Sequence, residues 1–248
     1  MLQIVIFGLV AALAEIGGAF LVIYRKEWPR RVYEYLIALS AGFLLALVVL
    51  KLIPESLILL GPVASVYILL GFAALHFFEH TLVGHLHFGE ETHQEVMVSK
   101  VASMSAFSGL IVHAFFDGFS ISAGMSYDFY IGLLVFTAVL LHKMPEGLTI
   151  ATVMLAARQS RRNALLASAT IGASTMIGIV VVFVLKAVEA SVVGIAFALS
   201  GGIAAYVGAT DLIPEVNKSK KRITPVLVLG GMVAFYVSDL LVETLLKH

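Results

Sequence analysis

Two histidine–carboxylate pairs are the residues of this sequence best suited to carry chemistry. Asp117 follows His113 by four residues, and Glu146 follows His142 by the same spacing. Residues four apart share a helix face, so in helical segments each histidine points the same way as its acid. Two imidazoles and two carboxylates suit Zn²⁺ and its neighbours, whereas Mg²⁺ and Ca²⁺ prefer oxygen ligands alone. The pairs therefore predict a transition-metal site. The alternative is a structural network that only locks two helices together.

The composition places these pairs in a membrane. Of 248 residues, 60% are hydrophobic and only 13% are charged, whereas a soluble domain has about 25% charged residues. The net charge is zero and there is no basic tract with interleaved aromatics, so nucleic-acid binding has no support. Cysteine is absent, which excludes disulfides and thiolate metal ligands. The apolar N-terminus lacks a preceding basic stretch and a cleavage site, and we interpret it as a retained helix.

Eight apolar segments are each long enough to cross a bilayer as a helix, which takes about 20 residues. The sequence thus predicts an all-α membrane protein. The predicted spans, in chain order, are 3–24, 33–55, 62–83, 97–125, 130–156, 163–187, 192–214 and 224–246.

Basic residues are concentrated in alternate loops between these spans. One set of loops contains Arg25, Lys26, Arg30, Arg31, Arg158, Arg161, Arg162, Lys218, Lys220, Lys221 and Arg222. The other set contains only Lys186 and the C-terminal Lys247. The positive-inside rule then places the basic loops in the cytoplasm and both termini outside.

Depth in the membrane follows from the helical rise. At about 1.5 Å per residue, His113 and His142 lie roughly 20 Å from the outer ends of their spans. That position is near the middle of a hydrocarbon core about 30 Å thick. Ionisable groups at this depth require one another, water or a cation.

An internal repeat connects the two ends of the chain. The segment from Ser40 to Glu55 matches that from Ser200 to Glu215 at a constant shift of 160 residues, including a shared Leu-Ile-Pro-Glu. The first three spans (repeat one, 1–83) therefore reappear as the last three (repeat two, 163–246), on either side of the central helices 97–156. Because five spans separate the copies, the second is inverted, which is typical of transporters with two pseudo-symmetric states. We predict this 3+2+3 arrangement within one domain, 1–248.

Two segments of the sequence resemble the motifs of a known family. The segments His-Ala-Phe-Phe-Asp-Gly, starting at His113, and His-Lys-Met-Pro-Glu-Gly, starting at His142, resemble the fourth- and fifth-span motifs of the Zrt/Irt-like (ZIP) metal transporters. The resemblance implies a pathway for Zn²⁺, Fe²⁺, Mn²⁺ or a related ion into the cytoplasm, with no organic cofactor. It also implies motion of spans 1, 4, 5 and 6 against a scaffold of spans 2, 3, 7 and 8 that forms a homodimer.

The sequence departs from the family pattern where many members bind a second metal. The corresponding positions carry Ala114, Lys143 and Thr175, so three ligands are missing together. We therefore expect a mononuclear site in which the Lys143 ammonium replaces the second metal. Glu146 and Glu15, which occupies the repeat position equivalent to Thr175, are the expected counter-charges; the alternative is a lysine facing a water-filled part of the pathway.

Further ionisable residues lie outside the central pairs. In the predicted cytoplasmic loop 84–96, His85, His87 and His93 are candidates for weak metal binding, or are incidental histidines of a polar loop. Glu55 is expected to close the second span at the outer surface, and Asp211 and Glu215 the seventh at the inner surface. These acids either collect cations at the two mouths or are ordinary interfacial carboxylates.

Two other functional classes remain open at the level of sequence. An intramembrane zinc hydrolase would use similar ligands, but its His-Glu-x-x-His motif is absent. A metal sensor that does not transport is compatible with the same site. We expect a multi-pass, non-enzymatic transporter surrounded by lipid, in a plasma membrane of the prokaryotic type.

Overall fold

A computed structural model describes residues 2–24, 29–78, 98, 100–127, 129–184, 189–219 and 221–246. Every element in these residues is helical, which confirms the expected all-α class there. The helices are α1 (Leu2–Ile23), α2 (Arg30–Leu47), a π-helical segment (Val48–Leu52), α3 (Ile53–Leu60), a 3₁₀ turn (Gly61–Val63), α4 (Ala64–Phe78), α5 (Lys100–Tyr127), α6 (Phe129–Ala156), α7 (Arg161–Val184), α8 (Ala190–Tyr206), a second π-helical segment (Val207–Leu212), α9 (Ile213–Asn217) and α10 (Ile223–Leu246).

Six helical stretches of the described chain are long and apolar enough to cross a membrane. Their outer surfaces are apolar as well. On α10, for example, Leu229, Val233 and Leu241 are 60%, 59% and 58% exposed. Large apolar side chains that face outward along a long helix are favourable in lipid and costly in water. The chain is therefore an integral membrane protein that crosses the bilayer several times.

Two π-helical segments precede the repeated Leu-Ile-Pro-Glu sequences. Val48–Leu52 joins α2 to α3, and Val207–Leu212 joins α8 to α9. Pro54 and Pro214 then lie at the start of α3 and α9. Proline has no N–H group and is best tolerated in the first turn of a helix. The preceding π-helical segment allows a new α-helix to begin at each proline without interrupting the helical chain.

The second predicted span consequently continues beyond its expected end. Glu55 lies in the first turn of α3 rather than at the end of a helix, and α3 runs on to Leu60. The chain then turns at Gly61, whose φ of 61° is readily adopted by glycine and rarely by other residues. The other helices begin and end close to the predicted limits wherever the structure describes those ends.

Glycines bring α1 into direct contact with α6. A Cβ atom added at Gly18 would lie 2.0 Å from the carbonyl oxygen of Met144, and one added at Gly147 would lie 1.8 Å from that of Glu15. Such distances leave no room for a side chain, so the two backbones touch, as small residues commonly permit in membrane helices. This contact places Glu15 beside the part of α6 that carries His142 and Glu146.

The same kind of contact joins α5 to α7. A Cβ atom added at Gly118 would lie 1.8 Å from the carbonyl oxygen of Thr175, and one added at Gly178 would lie 2.0 Å from that of Phe115. Gly178 follows Gly18 by the repeat shift of 160, so both copies of the repeat use this position for helix contact. α5 and α6 are continuous through Gly118 and Gly147, and both glycines serve close packing between helices.

Candidate metal site

The four predicted ligands lie together where α5 crosses α6. One ligand atom from each of His113, Asp117, His142 and Glu146 can be chosen so that all four lie within 4.8 Å of one another. The exposed fractions of these residues are 0%, 1%, 3% and 5%, respectively. A buried group of two imidazoles and two carboxylates at this separation has the size and the donor set of a transition-metal site.

Asp117 is the centre of the cluster. Its Oδ2 atom lies 3.1 Å from Nε2 of His142 and 3.4 Å from Nε2 of His113. The two imidazole rings are tilted by 43°, with centroids 5.6 Å apart. One acid from α5 thus faces the histidines of both helices, so the two sequence pairs form one cluster rather than two.

Lys143 lies inside the same cluster and is fully buried. Its Nζ atom is 2.5 Å from Oε2 of Glu146, 2.9 Å from Oδ2 of Asp117 and 3.9 Å from Oε2 of Glu15. A buried ammonium is stable only when paired with negative charge and hydrogen-bonded. Three acids surround this one, from α6, α5 and α1, so Lys143 electrostatically links three helices.

Each central carboxylate has one oxygen bonded to Lys143 and one that is not. Oδ1 of Asp117, Oε1 of Glu146 and Nε2 of His113 are buried and have no hydrogen-bond partner among the described residues. Buried polar atoms are nearly always satisfied in folded proteins. These three atoms are therefore free donors that a cation in the cluster could use.

The model for the ZIP zinc transporter family matches residues 84–238, which is more than half of the chain. The chain belongs to the ZIP zinc transporter family. None of the curated proteins matches it significantly. Membership confirms the resemblance drawn from the two motifs, and the members of this family are transporters of divalent metal rather than enzymes.

The positions at which the resemblance would place ligands of a second metal are also buried. Ala114 and Thr175 are both fully shielded. Ala114 has no donor atom, and the hydroxyl of Thr175 is 3.5 Å from the carbonyl oxygen of Ile171 in its own helix, at the long limit of a hydrogen bond. Glu15, which is also fully buried, is the acid that approaches Lys143 from the first repeat.

Ser200 was not singled out from the sequence. Its hydroxyl lies 2.7 Å from Nδ1 of His113, and both side chains are almost fully buried. Ser200 belongs to α8, which supplies none of the four candidate ligands. The only sequence signal was its place in the repeat, where it matches Ser40, and this signal indicated no contact with a histidine.

The three acids assigned to the mouths lie in three different environments. The Glu55 side chain is 39% exposed, with one oxygen 3.8 Å from Nζ of Lys51. Asp211 is buried and accepts a hydrogen bond of 3.0 Å from the Ser105 hydroxyl of α5. None of these acids joins the central cluster within the described residues.

The third of these acids, Glu215, pairs with the exposed Lys218 at 2.6 Å. Lys51, the partner of Glu55, also pairs with Asp239 of α10 at 3.3 Å. The predicted loop sites His85, His87 and His93 lie outside the described residues.

Proposed function

We propose that this ZIP protein carries a divalent transition-metal ion across the membrane into the cytoplasm through the cluster of His113, Asp117, His142 and Glu146. The observation that carries the proposal is the convergence of four buried ligand atoms within 4.8 Å. The mixed nitrogen and oxygen donors favour Zn²⁺, Fe²⁺, Mn²⁺ or Cd²⁺ over Mg²⁺ and Ca²⁺. The ion is the substrate, and no organic cofactor takes part.

The contacts of Lys143 support a single-ion site. Lys143 bonds Oδ2 of Asp117 and Oε2 of Glu146, while Oδ1 and Oε1 of the same acids have no hydrogen-bond partner in the described chain. Each carboxylate can therefore contact the ammonium with one oxygen and a metal ion with the other. This is the arrangement by which two carboxylates bridge a pair of metals, with an ammonium in place of the second ion.

Glu15 completes the charge balance in this proposal. With Asp117 and Glu146 ionised, Lys143 neutralises one of the two charges, and a bound divalent ion more than neutralises the other. Glu15 is fully buried and lies 3.9 Å from the ammonium. When it is ionised, a third acid at this distance lowers the electrostatic cost of holding Lys143 and the metal ion together.

The proposed architecture is eight transmembrane helices in a 3+2+3 inverted repeat with both termini outside. The six candidate spans become eight when Arg31–Phe78 is divided at the Gly61 turn and α6 is added. At 28 residues, α6 is about 42 Å long, enough to cross the bilayer. The shift of 160 residues between Gly18 and Gly178, which make equivalent helix contacts, supports the repeat.

Peripheral residues complete the proposed pathway. Glu55 at the outer side, with Asp211 and Glu215 at the inner side, would raise the local cation concentration at the two mouths. The histidines of the 84–96 loop would bind metal weakly in the cytoplasm. The protein would act as a homodimer, in a plasma membrane of the prokaryotic type.

Uptake of radioactive ⁶⁵Zn²⁺ into proteoliposomes tests the proposal directly. The wild-type protein should give saturable uptake, and variants lacking the His113 or His142 imidazole should give none above empty liposomes. A sensor would bind Zn²⁺ in the same preparation without uptake, and a hydrolase would be recognised by cleavage of added peptide. Uptake by both variants at the wild-type rate would remove the site from the pathway.

A further inference from the structure

We propose that Ser200 is a positioning residue that holds His113 in the orientation required for metal binding. The inference rests on the proposed site but concerns a residue outside the ligand set. The Ser200 hydroxyl is 2.7 Å from Nδ1 of His113, a normal length for a strong hydrogen bond. Both groups are shielded from water, with exposed fractions of 1% and 0%, so no solvent competes for this bond.

The hydrogen bond distinguishes the two nitrogens of the His113 ring. Nδ1 is taken by Ser200, whereas Nε2 points to Oδ2 of Asp117 at 3.4 Å and has no hydrogen-bond partner in the described residues. In the tautomer that binds a metal through Nε2, the Nδ1–H group donates its hydrogen to the serine oxygen. Ser200 therefore fixes both the rotation of the ring and the nitrogen that faces the carboxylates.

The backbone that carries Ser200 is itself held in place. Gly202 lies two residues after Ser200 in α8. A Cβ atom added at Gly202 would lie 2.0 Å from the carbonyl oxygen of Ile68 in α4. A Cβ atom added at Gly201 would lie 3.2 Å from Cβ of Leu52. Because α8 is packed this closely on two sides, the backbone that carries Ser200 is held at a fixed distance from His113.

The expected effect follows from the behaviour of metal-binding histidines. The group that accepts the second N–H of such a histidine orients the ring and strengthens the ligand, and its loss costs about ten- to one-hundred-fold in metal affinity. We therefore expect Ser200→Ala to weaken Zn²⁺ binding by that factor while His113 itself remains in place.

Ser174→Ala is the matched control. Ser174 of α7 is also buried and donates a hydrogen bond of 2.7 Å to α5, but its acceptor is the carbonyl oxygen of Ile111 rather than an imidazole. The two alanine variants lose equivalent interhelical bonds to the same helix. A purely structural effect should change them alike, whereas a positioning effect should appear only at Ser200.

The experiment measures Zn²⁺ affinity of detergent-purified full-length protein by competition with a chromogenic chelator, and the visible spectrum of the Co²⁺-loaded protein. Ser200→Ala should weaken binding and change the Co²⁺ spectrum, Ser200→Thr should keep both near wild type, and Ser174→Ala should leave both unchanged. If the alanine variant does not fold, Ser200→Val replaces it, because valine has the shape of threonine without the hydroxyl.

His113→Ala separates the inference from the function on which it rests. If this variant loses Zn²⁺ but Ser200→Ala or Ser200→Val binds it like wild type, Ser200 has no positioning role and the metal site stands. If His113→Ala binds Zn²⁺ like wild type, the site assignment fails and the role of Ser200 fails with it. Equal weakening in the Ser200 and Ser174 variants also overturns the proposal, because it indicates loss of packing alone.

Discussion

The ammonium of Lys143 on α6 lies 2.9 Å from Oδ2 of Asp117 on α5, so a cation already contacts a predicted metal-binding acid. The same oxygen faces the two histidines. A metal ion that binds this cluster must therefore share the Asp117 carboxylate with Lys143. In the proposed function, this relationship limits the centre to one ion.

The wild-type centre should bind one divalent ion, and the triple variant Ala114→Asn, Lys143→Asn, Thr175→Glu should bind two. The variant removes the buried cation and supplies three ligands around the bridging acids. Elemental analysis of dialysed protein and anomalous scattering from cadmium-soaked crystals would count the ions. The double variant Ala114→Asn, Thr175→Glu, which retains Lys143, is the control and should still bind one. Two ions at the wild-type centre would contradict the role given to Lys143.

Replacing His142 by alanine should abolish transport without unfolding the protein. In the proposed site this ring is one of two nitrogen ligands. Loss of a group that only orients a metal ligand already costs up to about 100-fold in metal affinity, so loss of a ligand should lower uptake by at least about 100-fold. ⁶⁵Zn²⁺ uptake in proteoliposomes checks the rate, and size-exclusion chromatography checks folding. His76→Ala is the matched control, because His76 packs against Tyr206 outside the cluster. Equal rates in both variants would argue against the site.

Adjacent glycines of α1 should respond oppositely to alanine. At Gly18 the new Cβ would lie 2.0 Å from the Met144 carbonyl oxygen, whereas at Gly17 it would meet nothing within 4 Å. Gly18→Ala should destabilise the protein by about 1–3 kcal/mol through overpacking. Gly17→Ala should leave it unchanged or stabilise it by up to about 1 kcal/mol through helix propensity. Size-exclusion chromatography after heating would compare them, and equal melting temperatures would show that α1 does not touch α6 at Gly18.

Topology can be tested with single cysteines, because the natural chain has none. Cysteine at position 219, in the basic loop between α9 and α10, should react with an impermeant maleimide only after the cells are opened. Cysteine at position 191, at the start of α8, should react on intact cells. Labelling of Ser219→Cys on intact cells would invert the proposed orientation.

The spacing of residues along the chain determined the class and the family of this protein. The low charge and long apolar runs predicted helices in a membrane because lipid cannot satisfy exposed backbone groups. The spacing of four residues between His113 and Asp117, and between His142 and Glu146, predicted paired ligands because a helix has 3.6 residues per turn. These properties depend on local geometry, which the order of residues specifies directly.

Packing between helices decided the rest. The contact of Lys143 with Asp117 crosses from α6 to α5, and the bond of Ser200 to His113 crosses from α8 to α5, over a separation of 87 residues. Gly118 and Gly147 are the points at which α5 contacts α7 and α6 contacts α1. Helical periodicity tells which residues share a face. It does not tell which neighbour meets that face, because close packing of several helices selects the partner, and only the tertiary structure records that choice.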